Sequence, residues 1–182
     1  MKLKNCILCL ILAALMLSGC KPKEPELKTQ VFSMTQNLEL GTVEYIVKKV
    51  VKFDDQQKYA IGDRKILFNT TAYLKAGVDL DEFTENDIFI NGKDITVRLP
   101  HAKLLSFNMP AEETTTVWEN YGVFRSKFNA DEQNEILTKG EEDIKADIPN
   151  LGILEDAEEN AEDIFTAMLS QFGFEKITIE FK

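Results

Sequence analysis

A long run of alternating apolar residues constrains the fold of this chain more than any other feature. In "KILFNTTAYLKAGV", residues 65–78, the apolar side chains that share one parity are Ile66, Phe68, Ala72, Leu74, Ala76 and Val78. Asn69, Thr71 and Lys75 occupy the other parity. Period-two alternation over this length predicts a strand with one buried and one exposed face. The fold must therefore provide a cover for one face of a sheet.

A second alternating run, "GTVEYIVKKVVKF" at residues 41–53, precedes the first. Its apolar positions, interrupted by Lys49, are Val43, Tyr45, Val47, Val51 and Phe53. The segment between the two runs, "DDQQKYAIGD", is rich in residues that favour turns. The two runs together predict a long antiparallel hairpin.

The segment "IFINGKDITVRLP", residues 88–100, predicts a second hairpin. Asn91 and Gly92 both tolerate the positive φ that a two-residue turn requires, so we place the turn there. With this turn, Ile88 faces Ile95 across the strand pair. Pro100 ends the second strand because it cannot donate a ladder hydrogen bond.

A fifth strand is predicted by Leu105, Phe107 and Met109, which alternate within residues 103–109. Residues 110–128 contain many β-formers but also an acidic pair that is typical of a helix start. No single period accounts for this segment, and we predict that it is irregular.

Two helices and a last strand are predicted after residue 128. Asn129 and Glu132 form a capping-box pattern at the start of the first helix, and Pro149 separates the two helices. The apolar positions at helical spacing are Ile136, Leu137, Gly140, Ile144 and Ile148 in the first helix, and Leu151, Leu154, Ala157, Ala161, Ile164, Phe165, Met168, Leu169 and Phe172 in the second. Gly173 with Phe174 is typical of a helix end, and "KITIEF" then alternates as a strand.

The element order is therefore β-β-β-β-β-α-α-β, which predicts an α+β fold. We expect a mainly antiparallel sheet of about five or six strands, with two C-terminal helices packed on one face. Residues 39–182 are expected to form this single domain, since no repeat or internal linker interrupts them.

The N-terminal residues carry the pattern of an export signal. Lys2 and Lys4 precede an apolar segment, Cys6–Leu17, which has signal-peptide length and is too short to span a bilayer. The following "LSGC", residues 17–20, resembles the lipobox of bacterial lipoproteins. This resemblance implies that residues 1–19 are removed and that Cys20 carries lipid. The alternative is an ordinary signal peptide with a chance cysteine.

Residues 20–38 contain mixed charges, two prolines and no sustained period. They predict a lipidated cysteine followed by a flexible, extended tether, which would hold the domain as much as ~50 Å from the membrane. The expected location is the cell membrane or the outer membrane, with the domain facing the periplasm or the exterior.

Cysteine content and charge exclude several classes of function. The chain has three cysteines, and only Cys20 remains after the signal peptide, which excludes disulfides, a thiolate nucleophile and a cysteine-based zinc site in the domain. The 21 basic and 31 acidic residues give a net charge of −10, so we expect no nucleic-acid partner. The same charge means that membrane attachment depends on the acyl chains of Cys20.

The sequence shows no catalytic constellation and no cofactor motif. His101 is the only histidine and is predicted to be a polar loop residue. The turn "DLDEFTENDIF" is acidic, and its weak candidate calcium ligands are Asp79, Asp81, Glu85 and Asp87. Phe83 and Thr84 occupy positions where a calcium loop needs an oxygen ligand and a glycine, so a solvated acidic turn is the favoured interpretation.

Two other charged segments are candidate sites. The run "EDAEENAED" at residues 155–163 is predicted to be the outward face of the second helix. Arg64, next to Asp63 in a predicted turn, either captures an anionic ligand or pairs with Asp63. We favour the pairing.

Several sequence blocks, in order, carry a resemblance over most of the chain. They are "LGTVEY", "GDRKILF", "KAGVDL", "ITVRLP" and "AEENAEDIFTAMLSQFGFEKITIEF". With these blocks the chain resembles DUF4230, a bacterial family of unknown function often found in lipoproteins of the Bacteroides group. The resemblance implies no reaction and no cofactor.

Two hypotheses of function remain. The favoured one is a lipid-anchored, non-enzymatic binding or scaffold module of the bacterial cell envelope, with a membrane contact through Cys20 and an envelope protein as partner. The alternative is a carboxylate-dependent hydrolase acting on a cell-wall or glycan substrate, because carboxylates are abundant.

Overall fold

The computed structural model describes residues 24–35, 40–55 and 62–182. The predicted signal peptide and Cys20 lie outside these residues. The α+β class, the mostly antiparallel strands and the C-terminal helices are as predicted. The elements are α1 (Glu24–Thr35), β1 (Leu40–Asp55), β2 (Arg64–Val78), β3 (Ile88–Asn91), β4 (Asp94–Leu99), β5 (Ala102–Asn108), β6 (Thr115–Tyr121), α2 (Ala130–Asp147), α3 (Ile153–Gln171) and β7 (Lys176–Phe181).

The long hairpin of β1 and β2 forms the centre of the first sheet. The two strands pair antiparallel from Leu40 opposite Val78 to Asp55 opposite Arg64. The alternation of β2 is confirmed, since all six of its predicted inward apolar residues are buried. On its other edge β2 pairs with β5 along one half and with β6 along the other half.

The strand β5 exists, and Phe107 packs against the main core as predicted, but Leu105 does not face inward and Met109 lies beyond the end of the strand. The register against β2 shifts between Lys75 and Ala76, where Leu105 is the extra residue of a β-bulge. A bulge reverses the parity of the side chains that follow it. Leu104 therefore faces inward opposite Ala76, while Leu105 is 40% exposed.

The prediction of an irregular segment at residues 110–128 is also wrong, because Thr115–Tyr121 form strand β6. Six of its seven residues are exposed, and among the described strands its pairing partner is β2. An edge strand with no buried face has no need of apolar alternation. This is why the periodicity of the sequence did not reveal it.

The second sheet has the order β3-β4-β7, with β4 and β7 parallel. The predicted hairpin between β3 and β4 is present, but its turn lies one residue later. Asn91 pairs with Asp94, and Gly92 has φ 63° as the first central residue of the turn. Ile88 consequently faces Val97, whereas Ile95 faces Ile90.

In the described residues, seven strands in two sheets therefore replace the predicted single sheet of five or six strands. The last strand, β7, does not join the long hairpin. It pairs with the short strand β4, from Asp94 opposite Lys176 to Leu99 opposite Phe181. A parallel pair requires a long crossover connection, and the segment that contains α2 and α3 provides it.

The helices close the core as the sequence predicts. The Asn129 capping box at the start of α2 is confirmed, with the Asn129 side chain accepting a hydrogen bond from the Glu132 amide. In α3, Ala157, Ala161, Phe165 and Leu169 are fully buried, and the helix packs on β1 and β2. Ile153 belongs to this buried face although the predicted stripe omitted it, and Ile164 is 40% exposed.

The predicted extended tether is wrong for Glu24–Thr35, which form helix α1. Pro25 is tolerated because it lies in the first turn, where no backbone amide hydrogen bond is needed. Leu27, Val31 and Thr35 recur at four-residue spacing, and Val31 is fully buried in the main core. The helical spacing of these three residues was not recognised in the sequence, because residues 20–38 also contain two prolines and several charged residues. In the part of the chain that the structure describes, no helix has the length and hydropathy of a membrane span.

Candidate interaction surface

A turn after β6 presents two large apolar side chains to solvent. The Arg125 amide donates a hydrogen bond of 2.9 Å to the Gly122 carbonyl, which closes the four-residue turn 122–125. The two central residues are Val123, which is 92% exposed, and Phe124, which is 76% exposed. Apolar side chains with this exposure gain nothing from the core of their own domain.

The base of this turn is locked to the start of β2. The Gly122 amide donates to the Asp63 carbonyl over 2.9 Å. A Cβ atom added to Gly62, which has φ 99°, would lie 2.8 Å from the Cα of Gly122. Glycine is therefore required at position 62 both by its conformation and by the close approach of the two backbones.

A network of ion pairs connects the turn to the rest of the domain. One guanidinium nitrogen of Arg125 donates to Asp55 over 2.6 Å. The same carboxylate oxygen accepts from Arg64, with distances of 2.9 Å from Nε and 2.5 Å from Nη2. Arg64 also donates to Glu132, at the start of α2, over 2.6 and 3.2 Å. Two arginines and two carboxylates thus connect the turn, the hairpin and α2.

The network lies in a partly desolvated environment. Arg64 is 6% exposed, and its guanidinium carbon lies 4.4 Å from the centre of the Phe128 ring. The hydrogen bonds from Arg64 lower the pKa of the Glu132 carboxyl, and Glu132 in turn raises the pKa of Arg64. Burial, together with Glu119, raises the pKa of Tyr121 to about 12. All these groups therefore keep their usual ionisation state at neutral pH.

A cleft of about 190 Å³ borders the network. Its lining residues are Phe53, Asp55, Arg64, Phe128, Glu132, Glu135 and Ile136. Among the described residues, no buried side-chain oxygen or nitrogen lacks a hydrogen-bond partner. The guanidinium of Arg64 is already hydrogen-bonded to two carboxylates, Asp55 and Glu132. We call the four side chains Asp55, Arg64, Arg125 and Glu132 the clamp, because their ion pairs connect the turn to the hairpin and to α2.

Further apolar side chains are exposed on the first sheet, on the strand face opposite to the one that packs on α3. Ile46 is 64% exposed and lies opposite Tyr73, while Trp118 of β6 is 45% exposed and lies opposite Leu67. Cross-strand apolar pairs of this kind stabilise a sheet but leave contact area available.

The predicted pairing of Arg64 with Asp63 is wrong. Asp63 is exposed, and Arg64 binds Asp55 and Glu132. Neighbouring residues in extended backbone point to opposite sides, so Asp63 and Arg64 are poorly placed to meet. The partners of Arg64 come instead from the preceding strand and from a helix 68 residues away.

The acidic turn does not gather its carboxylates. Asp79 binds Lys103 over 2.6 Å, and this contact lowers the pKa of Asp79. Burial alone would raise the pKa of Asp87, but its hydrogen bonds from Lys182 and Thr84 outweigh burial and lower that pKa. The other weak candidates, Asp81 and Glu85, are exposed. Within residues 24–35, 40–55 and 62–182, no group of three or more metal-ligating side chains has formed.

This turn is not merely solvated, because Phe83 at its centre is only 3% exposed. Its ring lies 6.0 Å from that of Phe32 in α1 and 6.3 Å from that of Phe165 in α3. The residue that breaks the calcium pattern therefore joins two helices in the core.

His101 lies in the loop between β4 and β5, as expected. Its Nδ1 atom is 2.8 Å from Glu158 of α3, and its ring stacks on Phe181 at 6.1 Å between ring centres. The other carboxylates of the run 155–163 are exposed, as predicted, and one of them, Asp156, accepts a hydrogen bond from the Tyr45 hydroxyl over 2.5 Å. These contacts tie the helix to the strands.

Comparison with known families gives one match. The family described as "Protein of unknown function (DUF4230)" matches residues 33–179. The chain belongs to this family. The match includes the long hairpin, both C-terminal helices and most of β7. No significant match was found among curated proteins or solved structures.

The turn 122–125 and its clamp were not found from the sequence. The available signal was "YGVF", two large apolar residues after a glycine in a segment without periodicity. Apolar residues outside any amphipathic period are candidates for surface contacts. The clamp gave no such signal, because its members are separated in the chain by up to 77 residues, from Asp55 to Glu132.

Proposed function

We propose that this DUF4230 protein is a lipid-anchored binding module of the bacterial cell envelope, located at the cell membrane or outer membrane and facing the periplasm or the exterior. The observation that carries the proposal is the hydrogen-bonded turn 122–125 with Val123 and Phe124 exposed. The proposed partner is an envelope protein with a complementary apolar pocket.

The clamp supports a binding role because it reduces the cost of association. Ordering a flexible loop on binding costs conformational entropy, which a preformed loop avoids. Here Gly62, Gly122 and the Arg125–Asp55 contact hold the turn before any partner arrives. Aromatic and aliphatic anchors that enter a partner pocket commonly dominate the affinity of an interface.

The carboxylates that bind Arg64 beside the cleft give the rival hydrolase hypothesis no support. A glycosidase needs one carboxylic acid with a raised pKa and one ionised carboxylate. The two carboxylates that bind Arg64 beside the cleft are Asp55 and Glu132, and the pKa of Glu132 is lowered. A proton donor at neutral pH requires the opposite shift.

The membrane part of the proposal rests on the resemblance of residues 17–20 to a lipobox. A chain with net charge −10 is repelled as a whole by anionic headgroups, so acyl chains on Cys20 would supply the attachment. In cell fractionation, we expect Cys20→Ala to move the protein from the membrane to the soluble fraction. Retention of this variant in membranes washed with high salt would contradict lipid anchoring.

The binding role is tested by co-purification from detergent-solubilised envelopes. We compare the native protein with a Val123→Ser, Phe124→Ser variant and with a matched control, Val117→Ser, which changes another exposed residue outside the turn. We expect the turn variant to lose its specific partner while its thermal unfolding midpoint stays unchanged. Equal partner recovery with all three proteins would contradict the proposed surface.

A further inference from the structure

The position of α1 determines how far the domain can move from Cys20. Four residue steps separate Cys20 from Glu24, the first residue of α1. A chain covers at most about 3.6 Å per residue, so this connection reaches no more than roughly 14 Å. The inference that follows rests on the proposed lipid attachment at Cys20.

The helix α1 is part of the folded domain and not of a tether. Val31 is fully buried in the main core, and Thr35 is 1% exposed. The Phe32 ring contacts Phe83, which in turn contacts Phe165 of α3. Moving α1 away from the domain would expose these side chains to water, and the hydrophobic free energy of their buried apolar area would be lost. The start of α1 is therefore fixed relative to the two sheets.

The surface beside the first turns of α1 has the chemistry of a membrane interface. Phe89 of β3 is 43% exposed. The Lys28 ammonium lies 5.8 Å from the centre of its ring, and the Arg98 guanidinium carbon lies 4.8 Å from it. Lys28 is one helical turn from Glu24, a rise of only about 6 Å. An aromatic ring between two cations thus lies close to the point where the chain leads to Cys20.

This arrangement suits phospholipid headgroups. Aromatic side chains favour the boundary between headgroups and acyl chains, and long basic side chains extend from apolar surface to bind phosphate. Arg98 also binds Glu180, with 2.9 Å between Nε and the carboxylate, and both side chains are about half exposed. A lipid phosphate can share the remaining donors of this guanidinium, which has five.

We propose that α1 holds the domain directly on the surface of the bilayer that carries the Cys20 lipid, with the Lys28–Phe89–Arg98 cluster in contact with phospholipid headgroups. The domain then has one orientation on the membrane. Trp118, on the outer face of the first sheet, is not part of this cluster and serves as the reference position.

The chain offers a direct test because Cys20 is the only cysteine in residues 20–182 and Trp118 is the only tryptophan. The chain from residue 20 is coupled through Cys20 to a maleimide lipid in vesicles of phosphatidylcholine and phosphatidylglycerol. Quenching by lipids with brominated acyl chains is then measured for two proteins. One retains Trp118 and the other carries Phe89→Trp with Trp118→Phe.

We expect the emission of the Phe89→Trp, Trp118→Phe protein to fall by about half or more and to shift to shorter wavelength, since tryptophan prefers the interface. The protein that retains Trp118 should show no quenching. Quenching of Trp118 alone, of both proteins or of neither would overturn the proposal. Unchanged circular dichroism of both proteins in solution verifies that the substitutions preserve the fold.

A second comparison tests the role of the two cations. Adding Lys28→Gln and Arg98→Gln to the Phe89→Trp, Trp118→Phe protein should reduce its quenching at least about twofold on vesicles containing phosphatidylglycerol. An unchanged signal would refute the headgroup contact. Because the coupling to lipid is chemical, these results do not depend on whether cells acylate Cys20. Fractionation of Cys20→Ala cells tests that separately.

Discussion

Gly140 in the middle of α2 gives a sharp test of how this helix packs on the long hairpin. A Cβ atom at this position would lie 2.6 Å from Cγ2 and 3.3 Å from Cγ1 of Val51 on β1. Val51 is 6% exposed and pairs with Phe68 of β2, and its branched side chain has few alternative rotamers. Gly140→Ala must therefore displace the helix from the strand.

Two effects of opposite sign decide the magnitude. Alanine is favoured over glycine within a helix by about 0.8–1.0 kcal/mol. Overpacking a buried contact costs about 1–3 kcal/mol. We expect the overpacking to exceed the helix propensity and Gly140→Ala to destabilise the protein by about 1 kcal/mol.

The control is the same substitution in a Val51→Ala background. Removing Cγ1 and Cγ2 leaves the Cβ of residue 51 at 3.5 Å, an ordinary contact distance. Gly140→Ala should then stabilise the protein by about 1 kcal/mol, so its effect changes sign. Urea unfolding of the wild type, both single variants and the double variant measures all four free energies. A stabilising Gly140→Ala in the wild-type background would refute the packing of α2 against β1.

Three other predictions concern the core and the clamp. Phe165→Ala and Phe68→Ala should each lower the free energy of unfolding by about 3–5 kcal/mol, because both rings are buried between sheet and helix; losses under about 1 kcal/mol in urea unfolding would contradict this. Arg64→Ala should lower the free energy of unfolding by about 3 kcal/mol, since it leaves the Asp55 carboxylate, whose side chain is only 13% exposed, with fewer partners, whereas Asp63→Ala should change it by under about 0.5 kcal/mol. Equal losses in chemical denaturation would instead support a pair between Arg64 and Asp63. Because the pKa of Glu132 is lowered in the folded protein, its contribution to the free energy of unfolding is fully present above about pH 4.3, the ordinary pKa of a glutamate, and is lost as pH falls through the folded pKa. The thermal unfolding midpoint of Glu132→Gln should therefore decline less between neutral and acid pH than that of the wild type. Parallel midpoint curves would disprove this linkage.

The clamp connects stability with the proposed function. Arg64 and Arg125 share the Asp55 carboxylate, and only Arg125 belongs to the exposed turn. Replacing Arg64 should therefore mainly lower the stability of the domain, whereas replacing Arg125 should mainly reduce the conformational order of Val123 and Phe124. This division allows binding and folding defects to be separated experimentally.

Local sequence patterns were sufficient to predict the strands and helices that bury one face. The alternation of β2, the Asn129–Glu132 capping box and the helix end at Gly173, which has φ 86°, all appear in the structure as predicted. Such patterns are readable because the periodicity of a strand or helix places every second, or every third to fourth, residue on the buried side. The α+β class follows from the order of these elements.

Tertiary structure decided the features that depend on residues far apart in the chain. Strand β6 has no buried face, so only its pairing with β2 defines it. Helix α1 is held by Val31 in a core that later elements build, and Arg64 finds Glu132 only when α2 packs near the hairpin. The exposure of Val123 and Phe124 likewise follows from what the rest of the fold leaves uncovered. Contacts of this kind have no sequence period, because the distance along the chain between partners is set by topology and not by backbone geometry.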